Sequence, residues 1–94
     1  MLVERAEIIV REGEEDRFAT GMGGRGVAIL TAQDGVMAVS FGRGIENPSK
    51  FMLLITWATM DAHMAFTKAV IFDEFRGLIS PFSTGGAMEH FEMT

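Results

Sequence analysis

The feature that most constrains the fold is the nearly continuous apolar run from Phe51 to Trp57, in which only Thr56 is polar. A strand with one face in water alternates apolar and polar residues, whereas an unbroken apolar run is typical of a strand covered on both faces. Helices can cover one face of such a strand, and the other face needs a further layer. The sequence therefore predicts a central strand between two layers.

Composition indicates where the second layer comes from. The chain has 94 residues, which we interpret as one domain over residues 1–94. Hydrophobic residues make up 48% and there are 11 glycines, together about 60% against a usual 45–50%. A chain this short buries only about 60–65% of its unfolded surface on folding. We therefore expect a homodimer in which a second copy covers part of the apolar surface.

Several classes of protein are excluded by the same inventory. The chain has no cysteine, which rules out disulfides, thiolate metal sites and cysteine nucleophiles. A net charge of −5 without a basic cluster argues against nucleic-acid binding. No apolar run approaches the roughly 20 residues of a membrane span. The first residues lack a basic region followed by an apolar core, so we expect no signal peptide and a cytoplasmic protein.

Periodicity predicts four strands and two helices in the order β-α-β-β-α-β. The helix that starts at Glu14–Asp16 contains four glycines within six residues, each costing about 0.8–1 kcal/mol relative to alanine, so we expect it to bend or break there. The second helix is expected to start at an N-cap Thr59 and to continue to Gly77. The predicted strands are Leu2–Val10, Val36–Phe41, Phe51–Trp57 and Ala87–Met93.

This order predicts a ferredoxin-like α+β fold, with a four-stranded antiparallel sheet and helices on one face. Two such sheets packed face to face across a two-fold axis would form a dimeric α/β barrel. That arrangement covers both faces of the third strand.

Two patterns that could indicate ligand binding lack the sequence context that such sites require. Residues Gly21 to Gly26 match G-x-G-x-x-G, but the acidic helix start precedes them, whereas a dinucleotide fingerprint follows a strand directly. The two histidines and the scattered acidic residues do not have metal-ligand spacing. We therefore expect neither a bound dinucleotide nor a metal.

The segment from Trp57 to Phe66 resembles the antibiotic biosynthesis monooxygenase family of dimeric α/β barrels. It is preceded by Glu46-Asn47-Pro48 and followed by Phe72-Asp73-Glu74-Phe75, as in that family. The resemblance covers nearly the whole chain, since the acidic helix start after Gly13, the Gly35 turn and His90 also fall where the family has them. It implies an apolar pocket in each subunit, between the sheet and the helices.

Comparison with the branches of that family narrows the expected activity. The polyketide-oxidising branch works without a cofactor, and it has an asparagine and a tyrosine where this chain has Leu53 and His63. Haem-degrading members need an asparagine on the first strand and a histidine late in the second helical region. The only asparagine here is Asn47, in a predicted loop, which argues against haem degradation. The resemblance therefore implies a cofactor-independent monooxygenase of a small aromatic or phenolic compound.

The residues offer the groups that such a reaction requires, and each also has a structural interpretation. His63 is the candidate base, because imidazole titrates near neutral pH, and His90 is a second one. His63 can alternatively bond to the backbone, and His90 can serve strand pairing or the dimer interface. Trp57, Phe66, Phe72 and Phe75 are candidates for an aromatic wall or for the core, and Arg43 or Arg76 for holding an anionic oxygen.

Two other functions remain open from the sequence. One is a non-catalytic or stress-associated dimer that binds a hydrophobic metabolite. The other is an isomerase that uses His63 as a proton shuttle. Fold alone does not decide among these functions.

Overall fold

The computed structural model describes all 94 residues and has one four-stranded antiparallel sheet. In chain order the elements are β1 (Leu2–Val10), α1 (Glu15–Gly21), a π-helical turn (Met22–Gly26), α2 (Val27–Thr31), β2 (Val36–Arg43), β3 (Lys50–Trp57), α3 (Met60–Lys68), α4 (Ile71–Gly77) and β4 (Ser83–Glu92). The spatial order of the strands is β2-β3-β1-β4. The predicted ferredoxin-like α+β fold is confirmed.

The core lies between the helices and one face of the two central strands. Four alternate residues of β3 are at most 2% exposed, namely Phe51, Leu53, Ile55 and Trp57. The intervening Met52 and Leu54 are 37% and 39% exposed on the opposite face. Within one chain the helices therefore cover only one face of β3, and the second face is apolar but open.

The edge strands are longer than their side chains predict. β4 begins at Ser83 rather than Ala87, and β2 continues to Arg43 rather than ending at Phe41. Glycines usually indicate a turn, yet Gly86 pairs with Ile8 in the ladder. A Cβ on Gly86 would collide with the carbonyl oxygen of Glu7, so the strand passes there because the residue lacks a side chain.

The glycine cluster makes the first helix irregular without breaking it. The backbone stays helical from Glu15 to Thr31, but the hydrogen bonding widens to a π-helical turn over Met22–Gly26. Met22 is completely buried and packs against Gly26, where a Cβ would overlap its side chain. The G-x-G-x-x-G segment is thus part of a helix, unlike the strand-to-helix loop of a dinucleotide fingerprint.

The prediction of one continuous second helix is wrong. Thr59 is the N-cap, as expected, but α3 ends at Lys68 and Ala69 is extended before α4 begins at Ile71. The break falls next to the β-branched pair Val70 and Ile71, which favours helix less. The break between the two helices also allows α4 to pack against α3. None of these helices combines the length and the apolar composition needed to cross a membrane.

Gly35 holds the start of β2 against α3, and its replacement tests that contact. Its φ is 84°, and an added Cβ would lie 2.5 Å from the Cβ of Ala62. We expect Gly35→Ala to lower the free energy of unfolding by roughly 2–4 kcal/mol, from backbone strain plus overpacking. Denaturant unfolding followed by circular dichroism measures this loss.

Gly13→Ala is the matched control. Gly13 also has a positive φ, 93°, but no atom lies within 4 Å of the position that an added Cβ would take. This variant should lose only the backbone contribution, about 1–2 kcal/mol. Equal losses in the two variants would show that the contact with Ala62 contributes nothing.

Candidate functional site

The site begins with a buried hydrogen bond between the two central strands. Trp57 ends β3 and is 1% exposed, and its indole Nε1 donates to Oε1 of Glu4 at 2.9 Å. Strand register places Glu4 opposite Ile55, two residues along β3 from Trp57 and on the same face of the sheet. A buried indole N–H needs an acceptor, and a buried carboxylate needs donors, so each group satisfies the other.

The start of α3 places His63 over this pair. The Thr59 hydroxyl accepts a hydrogen bond from the backbone N–H of Ala62 at 3.1 Å, which fixes where the helix begins. His63 follows in the first turn, and its ring stacks on Trp57 with a centroid distance of 5.1 Å. The Nε2 atom of His63 lies 3.5 Å from Glu4 Oε1.

His90 completes the cluster from the edge strand. It pairs with Glu4 in the β1–β4 register, so both side chains occupy the same face of the sheet. Its Nε2 lies 2.8 Å from Nδ1 of His63, a hydrogen-bond distance. His90 is partly buried, whereas Glu4 and His63 are 6% and 5% exposed. The cluster thus extends from the core towards the surface.

Burial sets the protonation of His63. Desolvation lowers the pKa of its imidazole below the ordinary value, the charge of Glu4 opposes that shift, and the neighbouring His90 reinforces it. The neutral ring then has one N–H and one bare nitrogen. The carboxylate favours the N–H on Nε2, which leaves Nδ1 to accept from His90.

An apolar cavity of about 210 Å³ lies beside this cluster, between the sheet and helices α3 and α4. Ten of its 14 lining residues are hydrophobic. The rings of Phe72 and Phe75 meet Phe66 edge to face at centroid distances of 5.1 and 5.4 Å. The charged or titratable residues at its wall are Glu4, His63 and Arg76.

Seven of the eight residues singled out in the sequence lie at or around this cavity. Five line it directly, while Trp57 and His90 do not line it but contact His63, by ring stacking and by a hydrogen bond respectively. The five lining residues are His63, Phe66, Phe72, Phe75 and Arg76.

Arg43 lies elsewhere. Its guanidinium bonds to Asp16 at 2.9 Å and to the carbonyl of Pro48 at 2.7 Å. It also lies over the ring of Phe51, 5.4 Å from the centroid. The structure therefore does not bring Arg43 to the cavity.

Glu4 is the residue that reasoning from the sequence missed. It is the one charged residue on the face of β1 that also carries Ala6, Ile8 and Val10. The sequence did contain a signal for Glu4, since it is an acidic residue on an otherwise apolar strand face. Buried acids are rare unless paired, so this position indicated a buried polar contact. Its partners could not be identified without the strand register.

Comparisons with known proteins show to which family the chain is related. The model of the family "Antibiotic biosynthesis monooxygenase" matches residues 1–78. The protein YczJ of Bacillus subtilis (strain 168) is 27% identical over 94 residues, which cover 98% of each chain.

Solved structures agree in fold. A Bordetella bronchiseptica protein assigned as an antibiotic biosynthesis monooxygenase superposes with a TM-score of 0.89 at 28% identity, covering 99% of this chain and 96% of that one. SnoaB, a cofactor-independent oxygenase from Streptomyces nogalater, superposes with a TM-score of 0.86 at 16% identity, covering 98% and 91%. At that low identity it is similar in fold alone. From the match over residues 1–78, the chain belongs to the antibiotic biosynthesis monooxygenase family.

Proposed function

We propose that this protein is a cofactor-independent monooxygenase that oxidises a small phenolic compound in the cavity beside His63. The observation that carries the proposal is an apolar, phenylalanine-lined cavity with a carboxylate and an imidazole at its wall. Apolar walls hold a flat aromatic ring, and a few polar groups orient it. Membership of a family named for monooxygenases supports the same chemistry.

The volume of the cavity limits the substrate. A cavity of about 150 Å³ accommodates benzene, and this one has about 210 Å³. We therefore propose a phenol of one or two rings rather than a tetracyclic polyketide. The cavity is also smaller than the roughly 300–1,000 Å³ of most sites for drug-sized ligands.

Glu4 and His63 supply the base in this proposal. Glu4 Oε1 faces Trp57 and His63, and the carboxylate also borders the cavity. It accepts the phenolic proton, while the N–H on His63 Nε2 faces it and His90 in turn donates to His63 Nδ1, so the two imidazoles orient and stabilise the charged form of the base. Arg76, at the cavity wall and over the ring of Phe72, stabilises the phenolate.

The electron-rich phenolate then reduces oxygen without a cofactor. For a simple phenol, one oxygen atom forms a new C=O bond at the ring carbon opposite the hydroxyl. The other oxygen leaves as water, together with the hydroxyl hydrogen and the hydrogen of that carbon. One phenol and one O₂ thus give one quinone and one water.

We further propose that the protein acts as a homodimer through the open face of its sheet. That face carries Met52, Leu54 and Phe91, which are 37%, 39% and 41% exposed. A second copy packed on it would cover the remaining face of β3, as sheets do when they stack. The family resemblance implies the same dimeric barrel.

Oxygen uptake tests the enzymatic proposal. Wild-type protein, given a panel of one- and two-ring phenols and hydroxynaphthalenes, should consume one O₂ per quinone formed, measured with an oxygen electrode and by quinone absorbance. His63→Ala and Glu4→Gln should each lower kcat/KM by about 10²-fold or more, the usual contribution of general base catalysis. Glu12→Gln, a change at an exposed carboxylate, should retain activity.

Circular dichroism of each variant separates loss of function from loss of fold. Absence of oxygen uptake by folded wild-type protein over the whole panel would refute the proposal. Tight binding of a phenol without uptake would refute it too, and would favour a non-catalytic ligand-binding protein.

The dimer is tested by light scattering at micromolar concentration. The wild-type protein should have twice the 10.3 kDa mass of one chain, and Leu54→Glu should shift it to monomer or abolish folding. Ile45→Glu makes the same kind of change at a residue that is 91% exposed and lies outside the strands, so this variant should stay dimeric. A well-folded wild-type monomer would contradict this prediction.

A further inference from the structure

We propose that Glu4, His63 and His90 form a binding site for a divalent transition-metal ion such as Zn²⁺. One potential ligand atom from each residue lies within 4.8 Å of the other two. The three residues come from β1, α3 and β4, which explains why no ligand motif is visible in the sequence.

The donor set selects the kind of ion. Two imidazole nitrogens and one carboxylate oxygen suit Zn²⁺, Co²⁺ or Fe²⁺, whereas Mg²⁺ and Ca²⁺ prefer oxygen ligands alone. Two imidazoles bound to one zinc at about 2.0–2.1 Å have their nitrogens about 2.9–3.4 Å apart. His63 Nδ1 and His90 Nε2 are 2.8 Å apart, so a small movement of the rings would admit an ion between them.

The surroundings of the cluster favour metal binding. The Trp57 N–H donates to Oε1 of Glu4 and fixes this carboxylate beside His63. Hydrogen-bonded outer partners of this kind orient the ligands in known metal sites.

Three protein ligands would leave a coordination position open. Glu4 and His63 border the cavity and His90 does not, so an ion held by all three would lie at the edge of the space proposed for the phenol. Catalytic zinc sites have the same pattern of three protein ligands and one exchangeable position. Bound Zn²⁺ would also occupy the groups that the proposed oxygenase uses as its base.

A titration of the full chain, free of any affinity tag, tests the inference directly. The chain has only two histidines, so its NMR spectrum contains two sets of imidazole signals. One equivalent of Zn²⁺ added to chelator-treated protein should shift both sets and then saturate. If excess Zn²⁺ moves neither set, the inference is wrong, and this readout needs no variant.

Variants identify the ligands. Co²⁺ should give a visible ligand-field absorption with 1:1 stoichiometry in wild-type protein. His63→Ala or His90→Ala should weaken Co²⁺ binding by at least about 100-fold and Glu4→Gln by at least about tenfold. Glu89→Gln is the control, because Glu89 precedes His90 on β4 and its carboxylate accepts from Arg5 instead of joining the cluster. This variant should bind Co²⁺ as the wild-type protein does. Unchanged binding in both folded histidine variants would overturn the inference.

The metal inference and the oxygenase proposal can fail separately. Saturable Zn²⁺ binding without oxygen uptake, with or without chelator, would leave the metal site standing and refute the oxygenase. Oxygen uptake in the presence of a chelator, together with histidine NMR signals that Zn²⁺ does not shift, would support the oxygenase and refute the metal site. If both hold, Zn²⁺ should inhibit uptake by wild-type protein and a chelator should restore it.

Discussion

The buried carboxylate of Glu4 is the interaction on which the rest of the site depends. A carboxylate removed from water is costly unless donors surround it, and Trp57 supplies one at 2.9 Å. That bond links β1 to the end of β3, and the His63 ring stacks on the same tryptophan. The position of α3 over the sheet is therefore tied to a polar contact within an otherwise apolar core.

This arrangement also explains why polar groups are tolerated beside the cavity. Every buried side-chain nitrogen and oxygen has a hydrogen-bond partner. A network whose members are all satisfied adds rigidity, whereas a partly satisfied one destabilises. Loss of one member would leave the others unpaired, so the cluster acts as a unit.

The sequence predicted the fold well because its strongest patterns are local. The apolar run of β3 and the alternating residues of β1 can be recognised from a few consecutive residues. The N-cap at Thr59 likewise depends on only one turn of helix. The break after Lys68 was not predicted, because apolar spacing continues across it and the β-branched pair Val70 and Ile71 is a weak local signal.

The site was predictable only in part for the same reason. His63 and Phe66 follow Trp57 closely in the chain, so one helical turn is enough to relate them. Glu4 and His90 join them only through strand pairing, which depends on the register of two long-range ladders. A one-residue slip would send either side chain to the opposite face. Arg43 was misplaced because its position depends on a loop contact with Pro48.

The placement of His90 on a terminal edge strand has a dynamic consequence. β4 has a single neighbour in the sheet, and its last residues are held by the bond from the Met93 N–H to the Met1 carbonyl and by the pairing of the N-terminal ammonium with Glu92. Strand ends open more often than cores do. Each opening that reaches His90 would uncover Nδ1 of His63 to water, so fraying of this edge gives the buried imidazole one route for exchanging protons with solvent.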